Sequence, residues 1–308
     1  MARFGYLDWL DGSLRHGCRE LPDAFVRRHM DYVRCCQNPD GGFPGPRGDS
    51  DLYYTEFALR ALNLGEGADD GETWRRAADY LRSFDRTPDD IVECFCVLHS
   101  AEMLRYRGES VAMPDAYPKG DAPGLYGAFL AALCHQLLGE EMPDMEATAC
   151  GVLNRQGEDG GFRDRQADCC AAGGVNPTAA AIGLLTMAGS LDSQAASSAA
   201  DFITGLQAED GGFLAHADAP GSDLMSTFTA LVSLQALGAL RKARLSDAGR
   251  YAQSLSEPEG GFRGARTATA PDVEYTFYGL GTLSLLALAA AGRRSCACAC
   301  QGEGTCCE

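Results

Sequence analysis

Lysine is almost missing from this chain: of its 26 basic residues only Lys119 and Lys242 are lysine. The arginine surplus accompanies abundant alanine and glycine, a compositional bias, and marks no arginine patch. Positive charge is scarce altogether, with 26 basic against 43 acidic residues and a net charge of −17. That balance speaks against a nucleic-acid backbone or an anionic membrane surface as partner. Strand signals are lacking, and aromatic residues reach only 8%. The segment Met1 to Cys18 carries Arg3, Asp8, Asp11 and Arg15 and has no apolar core long enough for a secretory signal. One uncharged run of membrane length exists, the eighteen residues Tyr275 to Gly292. It falls where the other repeats place apolar helices, so it reads as a buried helix, not a membrane span. These absences together predict a cytoplasmic protein.

Cysteine is the exception, with fourteen residues. Nine are scattered (Cys18, Cys35, Cys36, Cys94, Cys96, Cys134, Cys150, Cys169, Cys170) and read as small buried hydrophobes in a reducing compartment. Five form a tail cluster: Cys296, Cys298, Cys300, Cys306 and Cys307.

An acidic residue followed by Gly-Gly-Phe recurs at Asp40, Asp159, Asp210 and Glu259, the last three at intervals of about 50 residues. A glutamine stands three residues ahead of the first three: Gln37, Gln156 and Gln207. Each copy leads into an apolar stretch: Tyr53 to Leu64, Pro177 to Ala188, Leu224 to Leu237 and Val273 to Ala287. Two more apolar runs, Ile91 to Leu104 and Leu125 to Leu138, lack the glycine pair and bring the count to six. Amphipathic segments precede them, clearest in Pro22 to Gln37, Gly71 to Phe84, Met142 to Gln156, Ser193 to Gln207 and Ser246 to Ser256. A uniformly apolar helix has no face left for water, whereas an amphipathic one keeps a wet side. Alternation of the two predicts an all-α, double-walled α-α barrel of about six helical hairpins. The glycines supply the φ > 0 and close approach that the turns between layers require.

The pattern Gln-x-x-Asp-Gly-Gly-Phe, with helices such as Tyr54-Thr55-Glu56-Phe57-Ala58-Leu59 and the closing Asp272-Val273-Glu274-Tyr275-Thr276, carries a family resemblance. These units resemble the prenyltransferase and squalene-cyclase superfamily, especially protein prenyltransferase β subunits of the geranylgeranyl type. The resemblance covers roughly residues 20–292 and implies an α/α toroid domain, taken as 1–292; the Cys-rich segment 293–308 falls outside it as a tail. It further implies an isoprenoid-type small molecule in a central cavity and a helical α-type partner subunit. In that family a zinc ion held by Asp, Cys and His turns an acceptor cysteine into thiolate. Here the Asp-x-Cys-Tyr place reads Asp223-Leu224-Met225-Ser226, and Tyr275 precedes the threonine that the family's histidine precedes. A thioether and a phenol do not replace a thiolate and an imidazole for zinc, which speaks against zinc-dependent cysteine prenylation. The loop that carries diphosphate-binding cations in the family offers His216 alone.

The starts of the apolar helices form an acidic rim: Asp49, Asp51, Asp89, Asp90, Glu93, Asp168, Asp223, Asp272 and Glu274. Acids at helix N-termini serve as caps. The alternative is a proton donor above an apolar cavity, as in class II terpene cyclases, and Asp51, Asp90 and Asp223 are the catalytic candidates. Tyr54, Phe95, Tyr126, Met225, Phe228, Tyr275 and Tyr278, with His216, are the candidate ligand-binding residues; core packing is the competing role of the aromatics. A third class of function is a non-catalytic scaffold. No metal is expected in the toroid, whereas the tail thiols could hold a soft metal such as Cu(I) or zinc. A prenyl-acceptor end and an unstructured redox-labile tail are the other readings of that segment.

Overall fold

A computed structural model describes residues 5–45, 48–65, 71–84, 87–112, 124–165 and 173–302, with side chains as far as Gly292. Asp168, Cys169, Cys170, Cys306 and Cys307 lie outside the described residues, as do the side chains of Cys296, Cys298 and Cys300.

The six apolar runs fold as helices α3 (Leu52–Leu64), α5 (Ile91–Tyr106), α6 (Gly124–Leu137), α8 (Val175–Ala188), α10 (Leu224–Ala236) and α12 (Val273–Gly302). Each packs on the next, and α12 packs back on α3, so they close a ring. The amphipathic segments become α2 (Asp23–Cys35), α4 (Gly71–Arg82), α7 (Met145–Leu153), α9 (Ser193–Gly205) and α11 (Leu245–Ser254), packed outside on α3, α5, α8, α10 and α12. Helix α4 shows why: Trp74, Ala77, Ala78 and Leu81 are buried, while Glu72, Arg75, Asp79 and Arg82 form an exposed ladder of ion pairs. The run Val273–Gly292 is apolar and long enough to cross a membrane, but 56% of it is buried inside the ring.

The Gly-Gly-Phe turns are the rivets between layers. The four phenylalanines, Phe43, Phe162, Phe213 and Phe262, are fully buried. Each donates its backbone N–H to a threonine hydroxyl on the following inner helix: Thr55, Thr178, Thr227 and Thr276. In the first three turns the aspartate accepts from the second glycine N–H. The glutamine Nε2 bridges a glycine carbonyl to a carbonyl at the start of the next outer layer, as from Gln37 to Gly41 and Thr73. Gly41 has φ +94°, and a Cβ there would lie 2.0 Å from the Arg76 carbonyl oxygen of α4. Only glycine fits.

The fourth turn breaks this scheme in an informative way. Ser256 stands where the glutamine should be and Glu259 where the aspartate should be. His29 of α2 fills the gap: its Nδ1 accepts from Gly261 N at 2.9 Å, and its Nε2 lies 3.3 Å from Ser256 Oγ. A Cβ on Gly260 would strike the Arg28 carbonyl oxygen of α2 at 2.5 Å, just as Gly41 meets α4. Helix α2 is therefore the outer helix that follows the last turn. The ring closes on itself.

Helix α1 (Tyr6–Cys18) belongs to neither layer. Gly17 abuts the Ser284 backbone of α12, Asp11 reaches His99 of α5, and Tyr6 packs edge-on against Phe129 of α6. It spans the ring at the level of the C-terminal halves of the inner helices and buries Leu7, Leu10, Leu14, Gly17 and Cys18. A segment read only for targeting signals is in fact a structural plug.

Candidate functional site

At the N-terminal rim, the three aspartates singled out from sequence are helix caps. Asp51 accepts from Tyr53 N and Tyr54 N, and Asp90 from Val92 N and Glu93 N. Asp223 has both oxygens engaged by Ser226, one by its N–H and one by its hydroxyl, each at 2.7 Å. These contacts satisfy N–H groups that a helix start leaves orphaned. The three caps sit on separate helices, α3, α5 and α10. His216 is an exposed loop residue whose carbonyl accepts from Ala219 N. Met225 Sδ lies 3.9 Å from Asn176 Nδ2 of α8.

Inside the rim the aromatic candidates do come together. Phe228 of α10 packs 5.4 Å from Tyr278 of α12, and Tyr278 packs 5.2 Å from Phe57 of α3. Tyr53 extends this wall at 4.8 Å from Phe57, Tyr54 at 5.5 Å from Tyr53, and Tyr275 at 6.1 Å from Tyr278. Phe95 packs on the His99 ring at 5.2 Å. Tyr126 of α6 is 48% exposed, yet Glu56 and Arg60 of α3 and Glu274 of α12 act on its phenol. Burial first, then Cys96 and these carboxylates, push Tyr126 up to about 12, so its hydroxyl keeps its proton.

Two groups of ionisable side chains sit behind this wall, and neither was among the site residues chosen from sequence. The first is Glu274, 8% exposed, which accepts from Tyr53 Oη at 2.8 Å. Burial raises its pKa to about 7; Tyr53 works against the rise, and Asp272 and Glu56 add to it. The second is a network across three helices. Glu56 Oε1 lies 2.7 Å from His99 Nδ1 and 3.6 Å from Arg60 Nε, and His99 Nε2 lies 3.9 Å from Asp11 Oδ2. Burial alone would lower the His99 pKa, but the Asp11 and Glu56 carboxylates reverse this and raise it to about 9. His99 is thus an imidazolium at neutral pH. Arg60 stacks on Phe277, its guanidinium carbon 4.0 Å from the ring centre. The sequence signal for this network was a Glu, an Arg and a His standing inside otherwise apolar helices.

A cleft of about 900 Å³ opens at the other end of the ring, between α1 and the C-terminal turns of α6, α8 and α10. Trp9, Gln136, Met145 and Met187 line it, and none of the sequence-chosen residues does. Among the described residues no three His, Cys, Asp or Glu side chains converge in a way that could hold a metal.

A family model for the prenyltransferase alpha-alpha toroid domain matches residues 12–104 and 97–301. Among solved structures the chain is similar to Candida albicans protein geranylgeranyltransferase-I complexed with GGPP, at 15% identity and a TM-score of 0.62, over 84% of this chain and 90% of that one. It is similar as well to a type II terpene cyclase from Scytonema in complex with geranylgeranyl dihydroxybenzoate, at 13% identity and a TM-score of 0.57, over 91% and 99% of the two chains. A protein from Actinoplanes aligns at 18% identity and a TM-score of 0.52, over 87% of this chain and 99% of that one. At such identities the likeness establishes the fold alone. No curated protein matches the chain by sequence.

Proposed function

We propose, from the premise that this chain belongs to the prenyltransferase alpha-alpha toroid family, that its ring interior holds an isoprenoid-type chain against the wall of Phe57, Phe228 and Tyr278. The observation that carries this reading is Tyr126, about half exposed although charges on α3 and α12 act on its phenol, as expected of a side chain that lines a hollow. Aromatic faces pack well on a branched polyene and leave it no polar group to satisfy. A farnesyl or geranylgeranyl alcohol should raise the melting temperature of the full chain, and Tyr126→Ala should weaken the shift. No shift at saturating ligand would leave the scaffold reading in possession.

The bound chain is not a substrate for zinc-dependent cysteine transfer in this proposal. Asp223 spends both oxygens on Ser226, and the neighbouring donors are the Met225 thioether and the Tyr275 phenol, a set that suits zinc poorly.

Glu274 supports a second reading, of the cyclase kind. A carboxylic acid with a pKa of about 7, beside an aromatic wall, can donate its O–H proton to an alkene carbon and so become a carboxylate. The aromatic faces would then attract the carbocation. Under this reading the rim aspartates remain caps and Glu274 replaces them as the acid. Turnover of a polyprenyl substrate should fall as pH rises through about 7, and Glu274→Gln should abolish it. Full activity in that variant would end the reading.

A further inference from the structure

Arg60 is a buried cation whose hydrogen-bond donors are unmet. Its side chain is 12% exposed, and among the described residues its head makes no hydrogen bond at all. Its ion partner Glu56 stands at 3.6 Å, too far to accept, because Glu56 Oε1 is drawn 2.7 Å from His99. What remains is stacking: Phe277 on one side at 4.0 Å and Phe57 at 5.4 Å. Buried guanidinium groups are normally satisfied, since each unmet donor carries a desolvation penalty. The Nε–H is sealed in protein without a partner, whereas neither terminal nitrogen is both sealed and unpaired.

The same space is rich in donors and short of acceptors. The hydroxyls of Tyr126 and Tyr278 lie within reach of the Arg60 charge and have no hydrogen-bond partner among the described residues. The nearby carboxylates are drawn to other groups: one Glu56 oxygen to His99, one Glu274 oxygen to Tyr53, and Asp11 to the His99 charge at 3.9 Å. An occupant that completes this interior must bring oxygen acceptors. Its charge is bounded too. Asp11 and Glu56 balance His99 and Arg60, so the network is neutral as it stands. A di- or trianion would add two or three buried charges to that balance, whereas a carboxylate adds only one and matches the paired N–H fork of a guanidinium.

We infer that the ligand of this ring is an isoprenoid-type chain that carries a carboxylate head, seated on Arg60 deep in the interior, and not a diphosphate. The inference rests on the isoprenoid reading above. Isothermal titration of the full chain with farnesoic acid, farnesol and farnesyl diphosphate tests it, using wild type, Arg60→Met and Arg60→Lys. Wild type should bind the acid about 10- to 100-fold more tightly than the alcohol, a range set by a charge-assisted hydrogen-bonded pair. The diphosphate should bind more weakly than the acid. Arg60→Met should erase the preference for the acid while leaving the alcohol's affinity within about twofold, and Arg60→Lys should keep part of it. If Arg60→Met does not fold, the wild-type ranking and the lysine variant decide. Equal affinity for acid and alcohol, or tighter binding of the diphosphate, overturns the carboxylate inference and leaves the isoprenoid reading standing. Failure of all three ligands to bind brings down both.

Discussion

Glu56→Gln should destabilise the protein by about 3–5 kcal/mol near pH 6, the usual penalty for removing one partner of a buried ion pair. Glu56 is 1% exposed and faces two cations, His99 and Arg60. Glutamine can still accept from the His99 Nδ1–H, so the hydrogen bond survives in form. The negative charge does not, and Asp11 alone is left to balance an imidazolium and a guanidinium. The pH dependence distinguishes this account from a packing defect. The folded pKa of His99 is raised to about 9, above the ordinary value near 6.5. Its contribution is therefore full below about pH 6.5 and is lost as pH rises through about 9. The stability gap between wild type and Glu56→Gln should accordingly shrink from pH 6 to pH 10 as wild type gives up its imidazolium. Denaturant midpoints at four or five pH values measure this directly. A gap that stays constant would mean that His99 is not the charged member of the network.

The helical ring was legible from the chain because its determinants are local. The expected starts of the six inner helices, near residues 52, 91, 125, 177, 224 and 273, agree with observed starts at Leu52, Ile91, Gly124, Val175, Leu224 and Val273. A Gly-Gly-Phe turn is fixed by backbone sterics and one buried ring, both visible in seven residues. What escaped is what depends on distant parts meeting. Leu7, Leu10, Leu14 and Cys18 form a helical stripe, which was the available sign of α1, but only the closed ring gives that stripe a place to bury. The rim aspartates are a related case. Asp51, Asp90 and Asp223 stand at helix starts, where an acid's local duty as a cap is sufficient. Glu56, Arg60 and His99 have no local duty, because a charge on the inward face of an apolar helix is unfavourable unless something across the ring answers it. Glu274 was seen as one rim acid among nine; its Tyr53 partner, 221 residues away in sequence, is what sets it apart.

The second large effect is expected at the seam where the ring closes. His29→Ala should destabilise the fold by about 2–4 kcal/mol at pH 7, combining an unsatisfied Gly261 N–H with a cavity between Phe25 and Phe262. Both rings stand 4.5 Å or 6.3 Å from their neighbours here: His29 lies 4.5 Å from each phenylalanine, and the two phenylalanines lie 6.3 Å apart. Acid should reproduce the lesion in wild type. As an acceptor for Gly261 N, Nδ1 must be unprotonated, and burial, then Arg28, lower the His29 pKa to about 4. A base whose folded pKa is depressed gives stability that is present above its unfolded value and lost as pH falls through the folded one. Wild type should thus lose on the order of 3 kcal/mol between about pH 6.5 and 4 from this residue, and His29→Ala should show a flatter acid slope. The other three turns indicate the repair. Ser256→Gln with Glu259→Asp would install the pair used at Gln37 and Asp40, Gln156 and Asp159, and Gln207 and Asp210. In the His29→Ala background that double change should recover part of the lost stability without restoring the acid sensitivity. Hydrogen exchange at the Gly261 amide reports the seam itself. Protection there that is indifferent both to pH 4 and to the loss of His29 would show that the ring is held shut by other contacts between α2 and the fourth turn.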